Sequence, residues 1–305
     1  MSGFEPKTEV NIAGVTLKNP VMTASGTFGS GMEYGEFFDL SKLGAVVTKG
    51  VADVPWPGNP TPRIAETASG MLNAIGLQNP GIDVFISRDL PYLAKYDTKV
   101  IVNVCGHSEE EYLNVVRRLA ETDADMLEIN ISCPNVKEGG IAFGTDPKAV
   151  EAITKAVKRE AKQPVIMKLS PNVTDIKVMA RAAEAGGADA ISLINTLTGM
   201  KIDIERGKFA LANRTGGLSG PAIKPVAVRM VYEASHAVSI PVIGMGGITS
   251  GEDAVEFLMA GARAVSVGTA NFRDPLASLK VAEGIRDFLV RKQISDVNDI
   301  VGIVS

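Results

Sequence analysis

The sequence predicts a single (β/α)8 TIM barrel over residues 1–305, with an N-terminal hairpin plug and loops inserted at the active-site end. Three observations predict it. Eight short runs rich in β-branched residues recur along the chain, amphipathic segments separate most of them, and no G-x-G-x-x-G turn follows an early run. An open doubly wound sheet would want that glycine turn. The runs are PVMTA (20–24), AVVTK (45–49), KVIVNV (99–104), MLEINIS (126–132), PVIMKLS (164–170), AISLINT (190–196), PVIGMG (241–246) and AVSVGT (264–269). Helices are expected over 108–122, 146–161 and 250–262, where Ser108, Asp146 and Ser250 stand as N-caps. Ahead of the first run, EVNIAGVTLKNP (9–20) alternates apolar and polar residues around Ala13 and Gly14, the pattern of a hairpin closing the N-terminal end of the barrel.

Composition bounds the function. A hydrophobic content of 45%, a charged content of 22% and a net charge of −4 describe a globular chain with no electrostatic preference for nucleic acid or anionic membranes. No stretch approaches the roughly 20 apolar residues of a membrane span, and the start MSGFEPKTEV lacks the apolar region of a signal peptide, so a cytoplasmic protein is expected. The two cysteines, Cys105 read as part of strand three and Cys133 just past strand four, fit a reducing compartment without a structural disulfide. They are too few for an iron–sulfur centre, which normally takes about four thiolates, and no metal site is expected on this chain.

Chemistry in such a barrel belongs at the C-terminal ends of the strands. Cys133 sits there, in NISCPNV (130–136), where Pro134 halts the strand. By position alone it is as readily a small buried filler as a proton acceptor. Two connections leave the same end and are too long for turns: 50–81 after the second run and 197–220 after the sixth. A third, 133–147, carries Gly139, Gly140 and Gly144, which would let it move over a site; a surface excursion is the alternative. The last two runs end in GMGGIT (244–249) and VGTA (267–270), and Gly246, Gly247, Gly268 and Thr269 are the residues expected to bind a phosphate there. Lys49 and Lys168 end strands two and five. If a flavin fills the mouth, Lys168 suits its pyrimidine edge; the alternative makes each lysine a partner to a barrel carboxylate such as Glu128. Asn73, Asn103, Asn130 and Asn195, with Thr196, offer paired donors and acceptors to an imide or lactam ring, or else tie down turns. His107 and His236 read as solvated residues without a catalytic role.

At these residues the chain resembles class 1 dihydroorotate dehydrogenase. The resemblance rests on ASGTFG (24–29), KG (49–50), GNPTPR (58–63), NAIGLQNPG (73–81), NISCPNV, IMKLSPN (166–172), INT (194–196), GGLSG (216–220), MGGI (245–248) and VGT (267–269), in order along nearly the whole chain. It implies FMN in the barrel mouth with (S)-dihydroorotate stacked on it, and oxidation to orotate in de novo pyrimidine (UMP) synthesis. Cys133 is then the base at C5, while C6 passes hydride to N5 of FMN. The implied substrate contacts are Lys49, Asn73, Ala74, Ile75, Gly76, Leu77, Asn130, Asn195 and Thr196. The implied FMN contacts are Ser25, Lys49, Gly50, Asn103, Asn130, Lys168, Ile194, Gly220, Gly246, Gly247, Gly268 and Thr269.

Cysteine at 133 sets the chain apart from the class 2 enzymes, whose base is a serine. AETASGMLNAIGLQNPG and CPNVKEGG look most like class 1B, which passes electrons to NAD through a partner subunit carrying FAD and a [2Fe-2S] cluster, in a heterotetramer built on a homodimer core. Trp56 stands where the family often has a basic residue. The alternatives are a class 1A-like enzyme reducing fumarate without a partner, another pyrimidine-directed flavin barrel of the dihydropyrimidine dehydrogenase or tRNA dihydrouridine synthase kind, and a non-redox phosphate-binding aldolase or isomerase.

Overall fold

A computed structural model describes residues 4–132 and 144–304. Eight parallel strands close into a barrel. In chain order they are Val21–Thr23, Ala45–Val47, Lys99–Val104, Met126–Asn130, Val165–Lys168, Ala190–Leu193, Val242–Met245 and Ala264–Val267, here barrel strands one to eight. Each pairs with the next, and strand eight returns to strand one through Val265 opposite Val21. All eight predicted runs are present, but most stop short of their predicted C-terminal ends. Strand four ends at Asn130 rather than Ser132, and strand six at Leu193 rather than Thr196. Several trimmed residues, among them Ala24, Thr48, Leu169 and Ile194, keep a backbone bond to the neighbouring strand, while the side chains of Ser132 and Asn195 bond to each other. Cys105 likewise follows strand three instead of lying in it, its N–H donating to Val51 O at 3.0 Å.

The N-terminal hairpin pairs Val10–Ile12 with Val15–Leu17. Its two turn residues, Ala13 (φ 51°) and Gly14 (φ 88°), both have positive φ, as a type I′ turn demands. Val10, Ile12 and Leu17 are buried in the main core, and Lys18 pairs with Asp97, just ahead of strand three, so the hairpin abuts the N-terminal ends of the strands. The predicted helices form as Glu109–Leu119, Pro147–Glu160 and Gly251–Met259. Ser108, Asp146 and Ser250 each accept a hydrogen bond from the first turn, and Ser250 forms a reciprocal capping box with Asp253.

The two long connections are not independent loops. Four segments from them pair into one antiparallel sheet, in the spatial order Leu197–Met200, Thr215–Ser219, Gly70–Asn73, Ile64–Thr67. Alternation is too short and glycine too frequent there for the pattern to be read locally. The pairing is decided by contacts far apart in sequence, such as Gly217 opposite Asn73. Glycine is needed for the approach: a methyl group at Gly70 would lie 2.0 Å from Ser219 O. Leu72, Ala74 and Leu211 form a small second core at this sheet.

Candidate functional site

The residues at the C-terminal ends of the strands are arranged around Glu128. Its carboxylate accepts from Asn103 Nδ2 at 2.6 Å and from Ser192 Oγ at 2.8 Å, and Lys168 Nζ stands 3.4 Å from it. A side chain of strand four that reaches strands three, five and six must lie inside the barrel. All four residues are buried. Taking a carboxylate out of water costs several kcal/mol unless donors surround it, and three do. Lys168 is therefore the partner of Glu128, the alternative expected of it. Asn103 has a donor committed and an acceptor free: Oδ1 is buried without a hydrogen-bond partner among the described residues. Gly50 faces that oxygen, since a methyl group there would come within 3.2 Å of it.

A second chain of bonds runs from strand four to the segment after strand six. Ser132 Oγ donates to Asn130 Oδ1 at 2.7 Å, Asn195 Nδ2 donates to Ser132 Oγ at 2.5 Å, and Thr196 N–H donates to Asn195 Oδ1 at 2.7 Å. Asn130 also holds helix Glu109–Leu119 through its carbonyl, which accepts from Tyr112 Oη. Gly217 packs against Thr196 so closely that a methyl group would sit 1.9 Å from Thr196 Oγ1. Asn73 Nδ2 reaches Gly217 O at 3.4 Å, bringing the end of the sheet strand Gly70–Asn73 to the same place.

The segment after Asn73 is set by Asn59, whose Nδ2 donates to Ala74 O and whose N–H donates to Ile75 O, both at 3.0 Å. Gly76 (φ 73°) and Leu77 (φ 51°) then turn the chain toward Gly50, which stands beside the Leu77 methyls. Lys49 lies near Gly26, next to the half-buried Ser25. Asn73 to Leu77 and Lys49–Gly50 thus share one side of the mouth.

The glycine turns follow strands seven and eight, and strand eight adjoins strand one. Gly246 (φ 127°) touches Ile194 and Gly247 (φ 78°) touches Gly220, whose carbonyl would be 2.9 Å from a methyl group at 247. Thr269 Oγ1 donates to Ser219 Oγ at 2.8 Å, and Gly268 lies against Ala24. The turn after strand seven is braced by Asp253, which accepts from Thr249 N–H, Thr249 Oγ1, Ser250 N–H and Lys224 Nζ. Burial alone would raise the Asp253 carboxyl, but the bonds from Lys224 and Thr249 outweigh it and hold it below the usual carboxylate range. The Asp253 and Glu256 carboxylates raise the Lys224 ammonium in turn.

All the expected contacts among the described residues therefore fall at the mouth. Cys133, with Gly139 and Gly140, lies outside the described residues. Gly144 is described and serves close packing: a methyl group there would meet Ile131 O at 2.4 Å. Glu128 entered only as a lysine partner, yet a lone acid inside the apolar run MLEINIS was a legible signal. Ser192 and Asn59 carried no comparable signal, because what they bond to is distant in sequence; Ser132 and Asp253 have local partners in Asn130 and Ser250, but their bonds to Asn195 and Lys224 are also distant. His107 is not simply solvated, for it stacks on Trp56 with ring centroids 3.9 Å apart.

A family model described as dihydroorotate dehydrogenase matches residues 7–289. The chain belongs to the dihydroorotate dehydrogenase family. "Dihydroorotate dehydrogenase B (NAD(+)), catalytic subunit" of Lachnoclostridium phytofermentans is 69% identical over 297 residues, covering 97% of this chain and 99% of that one. The like-named subunit of Geotalea daltonii is 57% identical over 299 residues, covering 98% of each. Among solved structures, DHODH from Eimeria tenella, in complex with ferulenol, matches with a TM-score of 0.81 at 25% identity, over 99% of this chain and 90% of that one. Within the dihydroorotate dehydrogenases the chain is a class 1B catalytic subunit. Among the described residues no helix is long and apolar enough to cross a membrane.

Proposed function

We propose that this enzyme oxidises (S)-dihydroorotate to orotate in pyrimidine synthesis, as a single 1–305 domain holding FMN in the barrel mouth. The observation that carries the cofactor reading is the buried Asn103–Glu128–Lys168 group beside Gly50, with Asn103 Oδ1 lacking a partner among the described residues. A planar ring with an N–H edge and a place for negative charge fits there, and the cradle of Gly246, Gly247, Gly268 and Thr269 fits a phosphate. When bound, FMN would supply the hydride acceptor.

The remaining roles belong to the chain. Ser25, Lys49, Gly50, Asn103, Asn130, Lys168, Ile194 and Gly220 hold the ring and its tail. Lys49, Asn73 to Leu77, Asn130, Asn195 and Thr196 orient the substrate's carboxylate and amide edges. Cys133, next in sequence to the bonded Ser132, takes the proton from C5 as hydride leaves C6. FAD and a [2Fe-2S] cluster belong to a partner subunit, in a cytoplasmic heterotetramer on a homodimer core, which delivers the electrons to NAD.

Purified chain should release FMN on denaturation, and dihydroorotate should bleach it anaerobically. Cys133→Ala should keep FMN and slow that bleaching by about 10²–10⁴-fold, whereas Cys105→Ala, at a buried position, should bleach normally. An ordinary thiol ionises near about 8.5, so bleaching should quicken from neutral to mildly alkaline pH. An undiminished rate in Cys133→Ala would refute the base. NAD reduction should require a second, FAD-bearing chain; fumarate turnover by the chain alone would favour the class 1A alternative.

A further inference from the structure

Glu128 is costly where it stands. A buried ion pair is rarely more stabilising than apolar residues of the same volume, and Leu127 and Ile129 beside it show that the strand accepts such residues. Its bonds, however, do something that a leucine could not. By accepting from Asn103 Nδ2, Glu128 fixes which end of the amide faces Gly50, and that end is an acceptor. A buried acceptor without a partner is destabilising, and a bound N–H group would remove that cost. Toward Lys168 the contact is long, 3.4 Å against 2.6 Å for Asn103, so the ammonium keeps donors to spare. Its positive charge is nonetheless offset by a carboxylate that is only 3% exposed, where water screens little.

We propose that Glu128 is a positioning residue that orients Asn103 and offsets Lys168, and so lowers the reduction potential of the flavin in this site. The proposal rests on the FMN reading above. Reduction adds negative charge beside Lys168, and the Glu128 carboxylate opposes that charge. Ser192 moderates the opposition by donating a hydrogen bond to the same carboxylate.

The test is an anaerobic reductive titration of the FMN holoenzyme against a reference dye. Glu128→Gln keeps the shape and removes the charge. It is expected to retain FMN and to favour reduction by at least tenfold, a rise of about 30 mV for a two-electron couple. Glu128→Asp keeps the charge on a shorter arm and should return the potential toward wild type while FMN dissociates faster, because Asn103 loses its hold. Ser192→Ala, a small change at a buried strand position, should move the potential the other way, and it serves alone should Glu128→Gln not fold. A Glu128→Gln potential equal to or below wild type, or a Ser192→Ala potential equal to or above it, overturns the proposal while FMN binding stands. Wild-type protein that neither purifies with FMN nor takes it up removes the FMN reading and this inference with it.

Discussion

Asn195 Nδ2 donates to Ser132 Oγ at 2.5 Å, joining the segment after barrel strand six to the residue that precedes Cys133. The same hydroxyl donates to Asn130 Oδ1, so two asparagines proposed to read the substrate are oriented by one serine.

Ser132→Ala should therefore impair catalysis without emptying the cofactor site. Each lost bond at a buried site is worth about 1–3 kcal/mol, and kcat/KM for dihydroorotate is expected to fall roughly ten- to a hundredfold. FMN content per chain, read from the visible spectrum, should stay at wild-type level. Unchanged kcat/KM would remove the serine from the substrate's surroundings.

Gly217→Ala tests the contact between the sheet and the mouth. The new methyl group would meet Thr196 Oγ1 at 1.9 Å, so the threonine must leave its place. Overpacking of this kind costs about 1–3 kcal/mol. Steady-state kinetics should show KM for dihydroorotate raised about tenfold or more, and a wild-type KM would show that Thr196 does not bear on substrate.

Gly247→Ala should act on the cofactor instead. Its φ of 78° disfavours any side chain, and a methyl group would approach Gly220 O and Lys224 N at 2.9 and 3.0 Å. The left-handed backbone alone costs about 1–2 kcal/mol. Equilibrium dialysis should show FMN bound roughly five- to thirtyfold more weakly, and an unaltered affinity would count against a phosphate at this turn.

Asp253 should stabilise the fold in a pH-dependent way. Its carboxyl is held below the usual range, so its contribution is fully present above the ordinary carboxylate value of about 3.9 and fades as pH falls through the depressed folded value. Asp253→Asn should cost about 1–3 kcal/mol at neutral pH. Thermal melts should show that gap shrinking only below about pH 4; a gap constant into stronger acid would mean that the carboxylate charge is not what braces the turn.

Much of the site was legible because barrel geometry converts strand number into position. Lys49, Asn103, Asn130, Lys168 and Asn195 each stand at or near the C-terminal end of a strand run, and a closed parallel barrel brings those ends to one mouth. The positive-φ turns at Gly246 and Gly247 were legible for a related reason, since glycine marks backbone that other residues avoid. Ser132, Ser192 and Asn59 were not legible, because a serine or asparagine takes its meaning from a partner 63, 64 or 15 residues away.

By itself the sequence determined the barrel, its hairpin, the helix caps and which strand-end side chains face the mouth, such as Asn103 and Lys168, because periodicity, capping and turn chemistry are local properties of a chain. Only the tertiary structure decided that segments 64–73 and 197–219 form one sheet. It alone decided that Glu128 gathers Asn103, Lys168 and Ser192, and that Asn103 presents its oxygen to Gly50. Those outcomes depend on strand register and on which buried donor finds which buried acceptor, and both are settled only when distant segments pack together.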